Sequence, residues 1–385
     1  MTRKLKIAFL LPGSKNWLGG LNYQLNLMEA LLHFEPNVEI HTIISKINAD
    51  IRLPQSPSVY KQVIENHPIL TELNAGLRRF LKRDFLAENA IRKTGAGVIF
   101  TSFPYVAQVA PTLYWIPDFQ HVHLPEMFTP QDISGRNSAF RVGAAHAERV
   151  VLSSRDAMAD FTRLFPSRTS KARLLHFVVN VPESIYDKHP LDTLRTYALP
   201  QRFFYLPNQL WRHKNHLVVF EALHILQSRN IYPIVVCTGN AADYRNPDYH
   251  REVMDKIQKW GLSQQVIFLG LTPREHVFQL VRQSIAVINP SLFEGWSTIV
   301  EEVKSIGKQV LLSDIPVHRE QSPPESVYFS PKDSNDLADK MAAAWSDYAD
   351  GPDLRLESCA RSSISERVAA FTNQFVSMVR EILPN

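Results

Sequence analysis

The stretch Ser284 to Glu302, SIAVINPSLFEGWSTIVEE, constrains the architecture of this chain more narrowly than any other. Ser284 to Asn289 is a short, nearly continuous apolar run, as expected of a parallel strand buried on both faces, and Pro290 and Ser291 interrupt it. A loop carrying Gly295 follows. Thr298 and Glu301 have the S/T-x-x-E spacing of a capping box, which predicts a helix from Thr298 to a stop near Gly307. Strand, glycine loop and helix in that order form the unit of an open α/β sheet. Ligands bind at such loops because free N–H groups and the positive end of the helix dipole point out of them.

Helix phase separates the acids of this stretch. At about 100° per residue, Ile299, Val303 and Ile306 make one apolar stripe; Glu301 falls opposite it and is expected at the surface, whereas Glu302 lies only about 60° from its centre. Glu302, at the edge of a buried face, needs donors, and Glu294 stands in the loop just before the helix. Sugar hydroxyls supply donors without charge, while a bare phosphate beside two carboxylates is repelled. A helix with one capping acid and an ordinary salt bridge accounts for the same residues, and the pattern alone leaves both readings open.

Glu294 and Glu302, with seven residues between them, resemble the E-x7-E motif of the retaining glycosyltransferases of family 4, and Ser313 to Glu320, SDIPVHRE, resembles that family's strand and loop after the motif helix. The resemblance implies the GT-B fold, an α/β architecture of two doubly wound Rossmann-like domains facing each other across a cleft. It implies an N-terminal acceptor-binding domain over residues 1–185, a C-terminal donor-binding domain over 186–364, and a last helix, 365–385, crossing back to the first domain. The activity implied is transfer of a sugar from a GDP- or UDP-sugar to a hydroxyl of a glycan or lipid-linked acceptor, with retention of anomeric configuration, in polysaccharide or glycoconjugate synthesis. Two other readings stay open: a same-fold nucleotide-sugar epimerase or hydrolase, and an inactive nucleotide-sugar-binding protein.

Length agrees with two domains, since 385 residues at 45% hydrophobic and 21% charged give each half a core of its own. Cys237 and Cys359 make neither a disulfide framework nor a four-ligand zinc site, which fits a reducing, cytoplasmic compartment. The opening MTRKLKIAFLLPG has an apolar run too short for a signal peptide and reads as a first strand; no stretch reaches the ~18 apolar residues of a membrane span. That strand leads through Gly19-Gly20, placed in a loop, to a helix with Leu21, Leu25, Met28 and Leu32 at helical spacing. Adjacent glycines let a backbone approach a ligand, and the resemblance sets these two against the donor phosphates. Their spacing is not the G-x-G-x-x-G of dinucleotide-binding dehydrogenases.

Residues 71–93 contain a basic amphipathic segment, Leu73, Leu77, Phe80 and Leu81 against Arg78, Arg79, Lys82 and Arg83. It fits either peripheral association with an anionic membrane surface or a solvated helix face. Residues 1–185 carry 21 Lys and Arg against 15 Asp and Glu, a balance of +6 that leaves −2 for the rest of a chain of net charge +4. This asymmetry favours an acidic or membrane-bound partner for the first half and is too mild for nucleic acid. Thr112 to Ile116 reads as a buried strand ending at Pro117-Asp118, with His121 and His123 beyond it. In the resembling family a histidine near the reacting sugar stands where this chain has Pro117; Asp118 is kept, and His121 either takes over that role or closes the loop by hydrogen bonding.

Arg173 to Asn180 reads as a strand, and Asp187 to Pro200, without strong periodicity, as the boundary between domains. The second domain restarts with a strand at Phe203 to Leu206, followed by a loop carrying Arg212, His213 and Lys214 and a helix marked by Leu217, Phe220, Leu223 and Leu226. Surface cations are usually only solvated. Lys214-Asn215 nevertheless resembles the family's phosphate-binding lysine; the family's arginine five positions earlier is Gln209 here, and Arg212 is the candidate for the second charge. Main-chain groups near Gly270 and Leu271, after the strand Val266 to Leu269, are implied to meet the nucleobase, whose identity leaves no trace in the sequence. Ser363 to Glu366 reads as a capping box opening the last helix.

The resemblance thus implies Lys214, Arg212 and Glu294 as catalytic residues. Gly19, Gly20, Asp118, His121, Gly270, Leu271, Gly295, Ser297, Thr298 and Glu302 are implied to bind substrate. No cofactor is expected beyond the nucleotide sugar itself. The chain has no Asp-x-Asp triplet to hold a metal on the diphosphate, and lysine, a helix N-terminus and glycine N–H groups are expected to serve in its place.

Overall fold

The computed structural model describes residues 4–11, 18–46, 49–64, 74, 83–104, 109–243 and 245–383. Most of the basic segment proposed for a membrane surface, including Leu73, Leu77, Arg78, Arg79, Phe80, Leu81 and Lys82, lies outside them; Arg83 is described and pairs with Glu88 at 2.6 Å. Among the described residues no helix is long and apolar enough to cross a membrane. Contacts divide the chain into two units, one of Met1–His121, Thr129–Val178 and Glu366–Asn385, the other of Val122–Phe128 and Val179–Ser365.

In the first unit, β1 (Leu5–Leu10), β2 (Val38–Ser45), β3 (Val59–Ile64), β4 (Val98–Thr101), β5 (Thr112–Ile116), β6 (Arg149–Leu152) and β7 (Ala172–Leu174) form a sheet in the order β3-β2-β1-β4-β5-β6-β7. Every pairing is parallel. The near-continuous apolar text of β4 and β5 follows from burial on both faces. The order reverses between β1 and β4, the switch point where loops part and leave room for a ligand.

Gly19 and Gly20 sit in the first turn of the helix Leu18–Phe34, not in a loop ahead of it. The first turn tolerates glycine because its N–H groups have no intrahelical partner to lose. Of the strand expected over 173–180, only Arg173 and Leu174 fall within β7, with Leu175 N adding one bond to Leu152 O at 2.9 Å. Phe177 is buried for another reason: it packs 5.0 Å from Tyr23 and 6.2 Å from Phe371, so its apolarity reflects side-chain packing and not a ladder.

The last helix runs unbroken over Leu354–Ile382. It does not open at Ser363, whose hydroxyl donates to Ala360 O at 3.1 Å, a bond of the helix interior, so the capping-box spacing there is coincidental. Its residues from Glu366 onward belong to the first unit. Phe375 meets Phe100 edge-on at 5.3 Å, and the Glu381 carboxylate takes both Arg173 and Arg149, which hold it down to about 2.

The second unit repeats the plan. β8 (Phe204–Leu206), β9 (Val235–Cys237), β10 (Val266–Phe268), β11 (Ala286–Asn289), β12 (Val310–Ser313) and β13 (Val327–Phe329) lie in the order β10-β9-β8-β11-β12-β13, again all parallel. Its core joins Phe204, Leu206, Val219, Leu223, Ile288 and Leu311. The region 187–200, expected to be irregular, contains the helix Pro190–Tyr197 with Pro at its start and Ala198 left-handed at its end; two turns are too few to show a period.

The helix Thr298–Ile306 starts and stops where the sequence places it, with Gly307 left-handed at φ 87°. A Cβ on Gly307 would lie 2.2 Å from Leu356 O, while one on Gly261, also left-handed at φ 65°, would meet nothing within 4 Å. Gly307→Ala therefore suffers both backbone strain and collision with fixed main chain, and Gly261→Ala strain alone. Chemical denaturation is expected to show a loss of about 3 kcal/mol or more for Gly307→Ala and about 1 kcal/mol for Gly261→Ala; equal losses would mean that the 350s segment yields.

Candidate functional site

The switch point of the second sheet lies between β8 and β11, and the loops leaving these two strands build one polar cluster. At its base is Asn289, the last residue of β11, fully buried. Its amide bonds Ser297 Oγ at 2.8 Å, accepts from Asn208 Nδ2 at 3.3 Å and lies 2.9 Å from Ser291 Oγ. A second asparagine closes the loop after β8. Asn215 adopts the left-handed conformation that asparagine tolerates (φ 57°), and its Nδ2 donates to Pro290 O at 3.1 Å and Pro331 O at 2.8 Å. Leu292 N donates to His213 O at 2.8 Å, so the two loops are tied by main chain as well.

These ties bring Lys214 to Glu294. Lys214 Nζ donates to Glu294 Oε1 at 2.6 Å, and Ser291 Oγ lies 2.6 Å from the same oxygen. Glu294 is 8% exposed, so its charge is mostly withdrawn from water and depends on these donors. Ser291-Leu292-Phe293-Glu294 carries the same S/T-x-x-E spacing as Thr298 to Glu301, and here it marks a contact within the loop.

Ser297, and not Thr298, occupies the N-cap position, and its side chain bonds Asn289 instead of capping the helix. The cap is supplied from outside. Gln321, at the end of the helix Pro316–Gln321, accepts from Ser297 N at 3.1 Å and donates to Ser297 O at 2.9 Å and Glu301 Oε1 at 3.2 Å. Glu301 is therefore not a surface residue; it is 2% exposed. Phase relative to its own apolar stripe placed it outward, but a neighbouring helix covers that face too. Gln321 left no signal, since its partners are twenty and more residues away in sequence.

Glu302 is buried as expected, and burial pushes its carboxyl above the usual range against the opposing pull of Arg274, whose Nη2 lies 3.3 Å from Oε1. Arg212 turns to another partner. Its guanidinium lies 2.5 Å from Glu252 and 4.9 Å over the Tyr249 ring, so its charge is engaged on the helix Tyr249–Lys259 and not joined to the Lys214–Glu294 pair. Gly270 is left-handed and its carbonyl accepts from Gly239 N at 2.9 Å; the Leu271 side chain next to it is 67% exposed.

In the first unit, Asp118 and His121 stand beyond the C-terminal end of β5. Asp118 Oδ1 accepts from Gln120 N and from Arg136 Nη2. His121 Nδ1 accepts from Arg136 Nε at 3.2 Å, which leaves Nε2–H to donate to Asn137 Oδ1 at 2.9 Å. Burial lowers its pKa, so the imidazole is neutral and fixes the loop onto the helix Pro130–His146. Gly19 is exposed at the start of its helix and Gly20 buried.

Residues 198–361 match the family model Glycosyl transferases group 1. No curated protein matches the chain. Solved structures similar to it include Anabaena HepE in complex with UDP and glucose, at 16% identity over 98% of this chain and 99% of that one (TM-score 0.68). Sucrose-phosphate synthase from Thermosynechococcus elongatus aligns at 18% identity over 98% and 97% (TM-score 0.68), and a UDP-forming trehalose-phosphate synthase from Burkholderia xenovorans at 13% over all of both chains (TM-score 0.68). At such identities the likeness establishes the fold, two parallel-sheet Rossmann-like domains of GT-B type.

Three histidines under the second-unit cluster are neutral in the fold. Burial is the main cause for each, taking His216 to about 3, His318 to about 4 and His213 well below its ordinary value. Unfolded imidazoles titrate near 6.5, so above that pH both states are neutral; as pH falls from about 6.5 towards 4 the unfolded chain takes up protons first and stability is lost. Denaturation at stepped pH is expected to show this loss, with His318→Gln shallower than wild type by on the order of 1 kcal/mol per pH unit. Parallel slopes would mean that His318 is protonated in the fold.

Proposed function

We propose that this chain is a retaining, metal-independent glycosyltransferase that moves a sugar from a nucleoside diphosphate sugar to a hydroxyl acceptor. The observation that carries the reading is the Lys214–Glu294 pair at the β8–β11 switch point, inside the segment that matches the glycosyl transferase family. Lys214 and Ser291 both meet Oε1 of Glu294, so Oε2 is the oxygen that receives sugar hydroxyls. Ser291 keeps the carboxylate in place when Lys214 turns to the diphosphate. Glu302 accepts from the ribose.

The reaction breaks the bond between the anomeric carbon and the diphosphate oxygen, where negative charge develops. Lys214 and the N–H groups at the start of the helix Thr298–Ile306 neutralise that charge, which is the usual location of the largest catalytic term. The acceptor oxygen bonds to the anomeric carbon on the face the leaving group vacates, and its proton passes to a diphosphate oxygen. No protein nucleophile is required, and the acceptor is a hydroxyl of a glycan or lipid-linked acceptor. UDP- and GDP-sugars are the donors to test first; HepE, of the same fold, is described in complex with UDP-glucose.

Purified protein in excess EDTA is expected to keep full transferase activity, and NMR of the new linkage to show the donor's anomeric configuration. Lys214→Ala should lower turnover on the order of a hundredfold or more, with acceptor KM little changed. Activity lost on chelation and restored by magnesium or manganese would overturn the metal-free mechanism, an inverted anomer the retaining one. Free sugar or an epimer formed without acceptor would replace transfer by hydrolysis or epimerisation.

A further inference from the structure

Arg274 opens the helix Arg274–Gln283 after the β10 loop and is paired with Glu302 by charge but not by a hydrogen bond. Its Nε and Nη2 atoms are buried and, among the described residues, have no hydrogen-bond acceptor. Among the described residues, the other polar groups near Glu302 are neutral or turned away. From β8 the Tyr205 hydroxyl, which burial keeps protonated, bonds Thr238 Oγ1 at 2.7 Å, and the buried Cys237 thiol of β9 is likewise kept protonated. From the helix before β8, Tyr197 bonds His276 Nδ1 at 2.9 Å. On Glu302's own helix, Glu301 faces Gln321 and Lys304 donates to Gln321 O. Among the described residues, Arg274 is thus the charged group that acts on Glu302.

The site therefore joins a buried acceptor short of donors to buried donors short of an acceptor. A hydroxyl is both donor and acceptor, so a hydroxyl between the two completes each of them. Phosphate only accepts and is repelled by Glu302, and a base carbonyl serves Arg274 but gives Glu302 nothing. A vicinal diol fits both. We propose that Arg274 and Glu302 form a diol clamp, in which Arg274 donates to the ribose hydroxyls that donate to Glu302, and that this clamp selects ribonucleotides over 2′-deoxyribonucleotides. The inference rests on the donor-site reading given above and adds to it a second binding residue and a basis for sugar discrimination.

Calorimetric titration with UDP, GDP and their 2′-deoxy counterparts tests it. Wild type is expected to bind the ribonucleotide about tenfold or more tightly than the deoxy form. In Arg274→Met the ribonucleotide weakens by a similar factor while the deoxy form changes little, so the preference collapses. Without the guanidinium, Glu302 is protonated more readily, and Arg274→Met should also bind ribonucleotide more weakly at about pH 6 than at about pH 8.5, relative to wild type at the same pH. Arg274→Lys, which keeps the charge, holds the wild-type pH profile, and thermal unfolding of both variants identifies any folding defect. An unchanged ribose preference and pH profile in folded Arg274→Met would overturn the clamp while leaving the donor site intact. Absence of nucleoside diphosphate binding by wild type would instead remove the donor site itself, and the clamp with it.

Discussion

The second unit depends on one buried amide. Asn289 ends a strand that is otherwise apolar, and a polar side chain there is tolerable only if its hydrogen bonds are made. Its partners come from three different places, Asn208 after β8, Ser291 after β11 and Ser297 at the start of the next helix. Satisfying them leaves little freedom in how the two loops approach each other. Lys214 reaches Glu294 across eighty residues of sequence because of that constraint; its own ion pair is a result of the arrangement more than a cause. Exposed pairs such as Arg195–Asp192 impose nothing comparable, since water replaces either partner at little cost.

The histidines of this cluster add no charge to it. His213, His216 and His318 surround the lysine yet stay neutral, so their bulk fills space without adding field. His318 Nδ1 is occupied by Ser313, which fixes the ring and its tautomer. Lys214 and Glu294 pair beside a helix start whose N-cap is held from outside by Gln321. The helix start held by Gln321 need not reorganise when negative charge appears nearby.

The architecture was legible because its signals are local. Strand, loop and helix at 284–307 follow one another within a few residues, and the apolar runs of β1, β5 and β8 are equally local; each could be read without knowing what packs against it. Predictions failed where a distant neighbour decided the outcome. Glu301 looked outward until Gln321 covered it, Ser363-to-Glu366 had cap spacing in the middle of a longer helix, and Phe177 was apolar for packing with Tyr23 and Phe371. Lys214 and Glu294 were named through resemblance to a family, because no local pattern shows that they touch. Arg212 was the natural second cation by proximity in sequence, but Glu252 on a separate helix holds it, and Arg274, which sequence reasoning passed over, is the arginine beside a site acid.

The last helix gives the first unit an unusual history. Phe9, Phe100 and Tyr23 are among the earliest parts of the chain, yet the rings they pack against, Phe371 and Phe375, and the acid that gathers Arg149 and Arg173, Glu381, lie within its last fifteen residues. During synthesis the first sheet emerges with an apolar groove it has no means to fill, and must hold it open while the whole second unit is made and folded. A chain ending at residue 365 would contain the whole second unit and lack the helical residues that complete the first. The half of the protein that is translated first is the half that closes last.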